Sequence, residues 1–131
     1  MVLDTSALLV VLLGEAEAPT FRALFVRDPV RLLSAANLLE TAIVIESRLG
    51  EAGGRELDLL VHRAGVEIVA VSSDQVEVAR DAFRQYGKGR HPAGLNFGDC
   101  FAYALSKTSG EPLLFKGEDF SKTDTRNAAI S

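Results

Sequence analysis

The first thirteen residues, MVLDTSALLVVLL (residues 1–13), decide the fold class of this chain. Residues 1–3 are apolar and end on the carboxylate of Asp4, which a Thr5–Ser6 turn and an apolar helical run follow. A strand that is apolar throughout is typical of a parallel sheet covered on both faces. Ligands of open α/β sheets bind just beyond the carboxyl ends of such strands. Asp4 is therefore either a helix N-cap, which Asp favours, or a site residue.

The same alternation of patterns continues to the end of the chain. Pairs of helical patterns separate strand patterns at residues 1–3, 30–33, 66–71 and 113–115. Such an order predicts parallel strands joined by right-handed crossovers. We therefore predict an α/β fold, a three-layer sandwich with a central parallel sheet of four to five strands and helices on both faces. The length predicts one domain over residues 1–131.

Two helical patterns carry predictions about burial. Residues 35–49 form one helix, Gly50 ends it, residues 51–54 make a turn, and residues 55–64 form the next helix. A second amphipathic helix follows Ser72, which has capping-box spacing to Gln75. The apolar spacing predicts two buried faces. In the first helix this face is Leu38, Ala42, Ile45 and Leu49, widened by Leu39 and Ile43, and in the later helix it is Val76, Ala79, Phe83 and Tyr86.

Composition limits the classes of function. The formal net charge is −4, so binding of nucleic acid by overall charge is not expected. A polyphosphate substrate would need a bound cation or a local basic patch. One cysteine, Cys100, cannot form an intrachain disulfide, and the N-terminal apolar run is too short to span a membrane and lacks a basic leader. We therefore expect a complete cytoplasmic protein.

Carboxylates follow the strands or begin the helices at several points. Because these points meet at one edge of a parallel sheet, the acids converge and repel one another unless a divalent cation lies among them. Oxygen ligands favour Mg²⁺ or Mn²⁺, and neither histidine has the spacing of a zinc ligand. Each acid also has a structural interpretation as a cap, an ion-pair partner or loop polarity. The acids are Asp4, Glu40, Asp99, Glu118, Asp119 and Asp124.

Three motifs together resemble the PIN-domain ribonucleases of the VapC toxin type. They are VLDTSAL near the start, LLETAIVIESRLG in the middle, and LNFGDCFAYALSK with PLLFKGEDFSKTD near the end. The resemblance implies that Asp4, Glu40 and Asp99 are the acids of a metal site, ordered by the hydroxyl of Ser6. It leaves the fourth acid open. Asp119 and Asp124 fit alternative alignments, and Glu118 is a third candidate; we take Asp119 and Asp124 together as the predicted catalytic acids on this side.

The resemblance also implies an activity. It is that of a Mg²⁺-dependent endoribonuclease, with Mn²⁺ as a substitute, acting as the toxin of a toxin–antitoxin pair. The partners it implies are an RNA substrate, a cognate antitoxin that covers the acidic groove, and a second copy in a homodimer. A basic loop is then either a phosphate clamp or a solvated surface, and Lys116 is a second candidate phosphate contact. The loop residues are Lys88, Arg90 and His91.

Two other classes of protein remain as alternatives. A receiver-like phosphoacceptor signalling module also has acids at strand ends and a lysine after a late strand, as Lys116 is here. A receiver usually has a pair of acids after its first strand, and this chain lacks that pair. The third strand here ends in VAVSSD, with Asp74 already at the start of a helix. A non-catalytic binding domain fits if the acids serve only as caps.

Overall fold

A four-stranded parallel sheet forms the centre of the computed structural model, which describes residues 1–130. The spatial order of the strands is β3-β2-β1-β4, and all three pairings are parallel. This confirms the predicted fold class. The strands are β1 (Val2–Leu3), β2 (Leu32–Ser34), β3 (Glu67–Val69) and β4 (Leu113–Leu114).

Five α-helices cover the two faces of this sheet. Side chains that alternate along β1 separate the two layers: Leu3 packs in one hydrophobic cluster and Val2 in the other. The first cluster includes residues of α1 and α2, and the second includes residues of α4 and α5. The helices are α1 (Thr5–Leu12), α2 (Ala18–Arg27), α3 (Ala35–Arg63), α4 (Ser73–Tyr86) and α5 (Phe97–Ser109), followed by a 3₁₀ helix at Phe120–Lys122.

The predicted turn at residues 51–54 is wrong. Helix α3 continues through this segment to Arg63, and only Gly50 leaves the helical conformation, with φ 67° and ψ −161°. The two predicted helices therefore meet directly at a kink at Gly50. Glycine adopts a positive φ at no steric cost, so one residue is sufficient for the change of direction.

The predicted burial of both helical faces is only partly right. Ile45 on α3 and Tyr86 on α4 are buried, but Leu39, Ile43 and Leu49 on α3 are exposed. Val76 and Phe83 on α4 are exposed as well. The spacing marks an apolar face correctly, but it does not say whether the rest of the chain covers that face.

Within residues 1–130, no helix is both long enough and apolar enough to cross a bilayer.

Candidate active site

Asp4 follows β1 and is both an N-cap and a buried acid. Its side chain is 4% exposed. Its Oδ2 atom accepts hydrogen bonds from the Ser6 amide at 3.0 Å and from the Ser6 hydroxyl at 2.6 Å. Its Oδ1 atom is buried and receives no hydrogen bond. One carboxylate oxygen therefore makes the N-cap contact, and the other is left for a further ligand.

Ser6 connects the start of α1 to the segment after β4. While its hydroxyl donates to Asp4, the same oxygen accepts the backbone N–H of Lys116 at 3.0 Å. This arrangement holds the end of β1 and the chain beyond β4 at the same edge of the sheet. Ser6 thus orders Asp4, as the family resemblance implies, and contacts it directly.

Glu40 is held at the site by two donors. The Thr5 hydroxyl donates to its Oε1 atom at 2.5 Å, and the Asn37 side-chain amide donates to the same oxygen at 3.2 Å. Asn37 also donates to the Gly98 carbonyl at 3.0 Å, which links α3 to α5. Both hydrogen bonds at Glu40 reach Oε1, so Oε2 is the oxygen left for other contacts.

Gly98 allows Glu40 to approach α5. A Cβ atom at position 98 would lie 1.9 Å from Glu40 Oε2 and 2.5 Å from the carboxyl carbon. No side chain larger than hydrogen fits there while Glu40 keeps its position. The requirement comes from close packing, because Gly98 lies within the regular helix α5.

Asp99 lies in the first turn of α5 and takes part in a capping box. Its Oδ2 atom accepts the Asn96 amide at 3.0 Å, and Asn96 Oδ1 accepts the Asp99 amide at 2.9 Å. Sequence analysis considered a structural role and a site role for this acid. The structure assigns the capping role to one oxygen and brings the carboxylate close enough to Asp4 and Glu40 to interact with their charges.

The electrostatics of the site follow from burial and from like charges. Burial, together with the negative charges of Asp99 and Glu40 and against the hydrogen bonds from Ser6, raises the pKa of Asp4 to about 7. Burial likewise raises the pKa of Asp99 to about 6, with contributions from Glu40 and Asp119 and against the hydrogen bond from Asn96. Without a cation, Asp4 is therefore only partly ionised at neutral pH.

The residues fit a hard divalent cation bound by few protein ligands. Among residues 1–130, no three His, Cys, Asp or Glu side chains are close enough to bind one ion together. Mg²⁺ is commonly held by one or two carboxylates with water completing its octahedron. The free Oδ1 of Asp4 and the neighbouring Asp99 suit this mode of binding.

The acids after β4 divide into two groups. Asp119 and Glu118 are exposed, and the Asp119 carboxylate is close enough to raise the pKa of Asp99. Asp124 instead accepts hydrogen bonds from the Tyr103 hydroxyl at 2.7 Å and from Lys107 Nζ at 2.8 Å. Burial acts to raise the pKa of Asp124, but these two contacts outweigh it and the pKa is lowered. The structure thus places Asp119 beside Asp99 and holds Asp124 at the opposite end of α5.

The predicted basic residues occupy different surroundings. Lys88 and Arg90 are exposed in the loop after α4, and the Arg90 guanidinium lies 5.6 Å from the centroid of the Phe83 ring. His91 packs edge-on against Tyr86, and its Nδ1 atom accepts the Ala93 amide at 3.0 Å. Lys116 Nζ donates to Glu15 at 2.6 Å, and this contact raises its pKa. Lys116 therefore already has an acidic partner.

Three residues of the site were not predicted from the sequence: Asn37 and Gly98 were absent from the candidates, and Thr5 was named only as part of a turn. A weak signal existed for two of them, because Thr5 follows the first aspartate directly and Gly98 precedes Asp99. Asn37 lies one helical turn before Glu40 and had no signal of its own. Its function depends on the distance between α3 and α5, which only the folded chain defines.

A parallel α/β sandwich with carboxylates gathered beyond β1 and at the start of α5 is the arrangement of a PIN domain, and residues 1–126 match that family. Two relatives are VapC30, a ribonuclease of Mycobacterium tuberculosis, at 60% identity over 99% of both chains, and a VapC ribonuclease of Mycolicibacterium smegmatis, at 63% identity over 95% of this chain and 96% of the relative. The chain belongs to the PIN-domain family and, within it, to the VapC ribonucleases, the toxins of toxin–antitoxin systems.

Solved structures agree with this fold. The crystal structure of Mycobacterium tuberculosis VapC20, a sarcin–ricin-loop-cleaving toxin, superposes with a TM-score of 0.78 at 21% identity over 95% of both chains. A toxin–antitoxin complex from Klebsiella pneumoniae gives a TM-score of 0.69 at 19% identity, over 94% of this chain and 92% of that one. At these identities the likeness concerns the fold alone.

Family membership confirms the resemblance noted in the sequence and the assignment as a ribonuclease. It decides against the receiver-like and non-catalytic alternatives. VapC ribonucleases with a PIN domain generally depend on a divalent metal ion, and VapC toxins pair with antitoxins.

Proposed function

We propose that the chain is a Mg²⁺-dependent endoribonuclease toxin whose catalytic site consists of Asp4, Glu40, Asp99 and Asp119. Mn²⁺ substitutes for Mg²⁺ because both ions prefer oxygen ligands in similar geometry. In this proposal Asp124 stabilises the C-terminal segment through Tyr103 and Lys107 and takes no part in catalysis. Residues 1–131 act as one nuclease domain.

The observation that carries the proposal is the Oδ1 atom of Asp4. It is a buried carboxylate oxygen without a donor, at the end of a buried strand. Burying such an atom unpaired is costly, and native proteins seldom do so without a function or a bound ion. Asp4 and Asp99 would hold a divalent cation, which would give this oxygen a partner and offset the repulsion between the two carboxylates.

The chain's own groups then have distinct functions. When bound, a divalent ion supplies Lewis-acid stabilisation of the phosphate and lowers the pKa of water. Thr5 and Asn37 orient Glu40 so that its Oε2 atom can accept a proton from the attacking water. The water oxygen forms a bond to phosphorus as the bond to the leaving oxygen breaks, and solvent protonates that oxygen. No covalent intermediate with the protein is required.

Basic side chains at the rim support binding of the RNA backbone. Lys88 and Arg90 are exposed beside His91 and can contact phosphates. Lys116 can do so by exchanging its contact with Glu15 for a phosphate oxygen. A cognate antitoxin inhibits the enzyme by covering the acidic groove, most effectively with a basic side chain placed among the unpaired carboxylates. We further propose that the toxin acts in the cytoplasm as a homodimer.

Cleavage of RNA by the purified chain tests this function. We expect endonucleolytic products on denaturing gels with Mg²⁺ or Mn²⁺ and none with EDTA. Asp4→Asn and Asp99→Asn should each reduce cleavage by about 10²-fold or more, because each removes a charge that holds the cation. Full activity in both variants, or in EDTA, would contradict the assignment to this site.

A further inference from the structure

A cleft between α4 and α5 lies outside the acidic site and combines basic with aromatic side chains. Its volume is about 610 Å³. We call it the α4–α5 cleft. The residues that matter here are Arg80, Phe83, Arg84, Arg90, Phe97 and Phe101.

The charge of the cleft is opposite to that of the whole chain. The chain has 18 acidic and 14 basic residues, yet three arginines and no acidic residue line this cleft in the described part of the chain. Arg80 and Arg84 form ion pairs with Glu77 and Asp81 at 3.2 and 2.7 Å. These pairs are exposed and hold the arginines only weakly. An incoming anion can therefore take over the guanidinium groups at little cost.

Exposed aromatic rings stand beside these arginines. Phe97 is 81% exposed and meets Phe101 edge to face, with ring centroids 4.9 Å apart. Phe83 is partly exposed below the guanidinium of Arg90. A phenylalanine this exposed contributes little to the core of the chain. Flat apolar rings next to guanidinium groups are the usual surface for stacking unpaired bases.

The cleft also adjoins the catalytic acids. Phe97 and Asp99 share the first turn of α5, and Cys100, which follows Asp99, lines the cleft. The cleft therefore begins at the residue next to Asp99 along α5. Three guanidinium groups attract a polyanion and pair with phosphate oxygens, so RNA is the occupant that the charge of the cleft favours.

We propose that the α4–α5 cleft binds the single-stranded RNA next to the scissile bond. A base stacks on Phe97, and Arg80, Arg84 and Arg90 contact the phosphates that follow. This inference rests on the proposed function, because it extends the path of the same substrate beyond the acids. The cleft also explains how a protein of net negative charge holds a polyanion. A single cation at the acids would contact only one phosphate.

Binding of a fluorescein-labelled single-stranded RNA of about ten nucleotides, long enough for site and cleft together, tests the inference. The assay uses anisotropy in EDTA, so that the RNA stays intact. Phe97→Ala should weaken binding about tenfold, and Phe97→Trp should restore it, since stacking needs only a ring. Arg80→Ala and Arg84→Ala should each reduce the slope of log Kd against log salt by about 0.7. The control is Val26→Ala, which removes an exposed apolar side chain on α2 and should change nothing.

Three results would overturn the inference. One is wild-type affinity in Phe97→Ala. Another is a salt slope that neither arginine variant changes. The third is a Phe97→Ala variant that sediments as a monomer where the wild type is a dimer, while both bind RNA with the same affinity. That result would make the cleft a subunit interface. Cleavage by the wild-type chain with Mg²⁺ is measured in parallel, so that failure of the nuclease assignment and failure of the cleft are distinguished.

Discussion

Glu40 lies against Gly98 so closely that a Cβ atom on residue 98 would come within 1.9 Å of the Glu40 Oε2 atom. The contact joins α3 to α5 across 58 positions of sequence and places the Glu40 carboxylate beside Asp99. Asn37 reinforces it by donating to both Glu40 and the Gly98 carbonyl. The position of the proposed proton acceptor thus depends on a residue that has no side chain.

Gly98→Ala should therefore inactivate the enzyme while leaving it folded. The new methyl group displaces Glu40, and a displacement of about 1 Å at a reacting group costs on the order of 10²-fold in rate. The measurement is kcat on RNA together with the thermal unfolding midpoint. Gly54→Ala is the matched control, because a Cβ there meets the flexible end of Glu46. Equal activity in both variants would show that Glu40 needs no space at Gly98.

Thr5→Val should lower kcat about tenfold or more. Valine keeps the shape of threonine but removes the hydroxyl that donates to Glu40 Oε1 at 2.5 Å. Loss of one of the two hydrogen bonds to this half-buried oxygen also lowers the free energy of unfolding by about 1 kcal/mol. Thr5→Ser keeps the hydroxyl and should restore most of the rate. We would abandon this role for Thr5 if the valine and serine variants had the same kcat.

The metal-free protein should become less stable as pH rises from about 4 to about 7. The pKa of Asp4 in the folded chain is about 7, above its ordinary value of 3.8, so the folded state binds the extra proton in this range. Its stabilisation is complete below pH 4 and is lost as pH rises through 7. The loss is on the order of 4 kcal/mol, since the pKa rises from 3.8 to about 7 and one pKa unit corresponds to about 1.4 kcal/mol.

Thermal unfolding in EDTA between pH 5 and 8 measures this effect. Asp4→Asn should flatten the dependence and be more stable than the wild type at pH 8, because asparagine never acquires the buried charge. Asp58→Asn, which changes an exposed acid on α3, should retain the wild-type slope. Added Mg²⁺ should stabilise the wild type more at pH 8 than at pH 5, because protons compete for the same oxygen. A wild-type midpoint that rises with pH in EDTA would refute the assignment.

Asp119→Asn and Asp124→Asn should differ in their effects. Asp119 is a negative charge near Asp99, so its neutralisation weakens the attraction for the cation and should raise the Mg²⁺ concentration needed for half-maximal cleavage severalfold. Asp124 contacts Tyr103 and Lys107, so its neutralisation should cost at most about 1 kcal/mol of stability and leave cleavage unchanged. Titration of Mg²⁺ against the initial rate separates the two. The opposite outcome would make Asp124 the fourth acid.

The fold and the main acids could be predicted because they follow from local rules. Asp4 comes directly after a buried strand and Asp99 opens a helix, and parallel strands bring such points to one edge. Gly98 and Asn37 obey no local rule, since each has its effect only through the distance between α3 and α5. The sequence therefore predicts that this edge of the sheet carries an acidic site. The contacts that orient its carboxylates can be seen only in the folded chain.

Burial was the other limit of prediction. Leu39 and Ile43 on α3, and Val76 and Phe83 on α4, have the spacing of a core face, yet they are exposed. The same helical period describes a face covered by the chain itself and a face left for other molecules. Only the packing of the remaining elements tells the two apart.

The site forms late in synthesis, because hydrogen bonds and close contacts among α1, α3 and α5 connect Thr5, Glu40, Asn37 and Gly98. The ribosome makes the segment with Asp4 first and reaches Asp99 only after three quarters of the chain has been translated. Until α5 has emerged and packed against α3, a growing chain has the first aspartate without its partners. With the proposed catalytic acids, a growing chain therefore gains the ability to cleave RNA only when its synthesis is nearly complete.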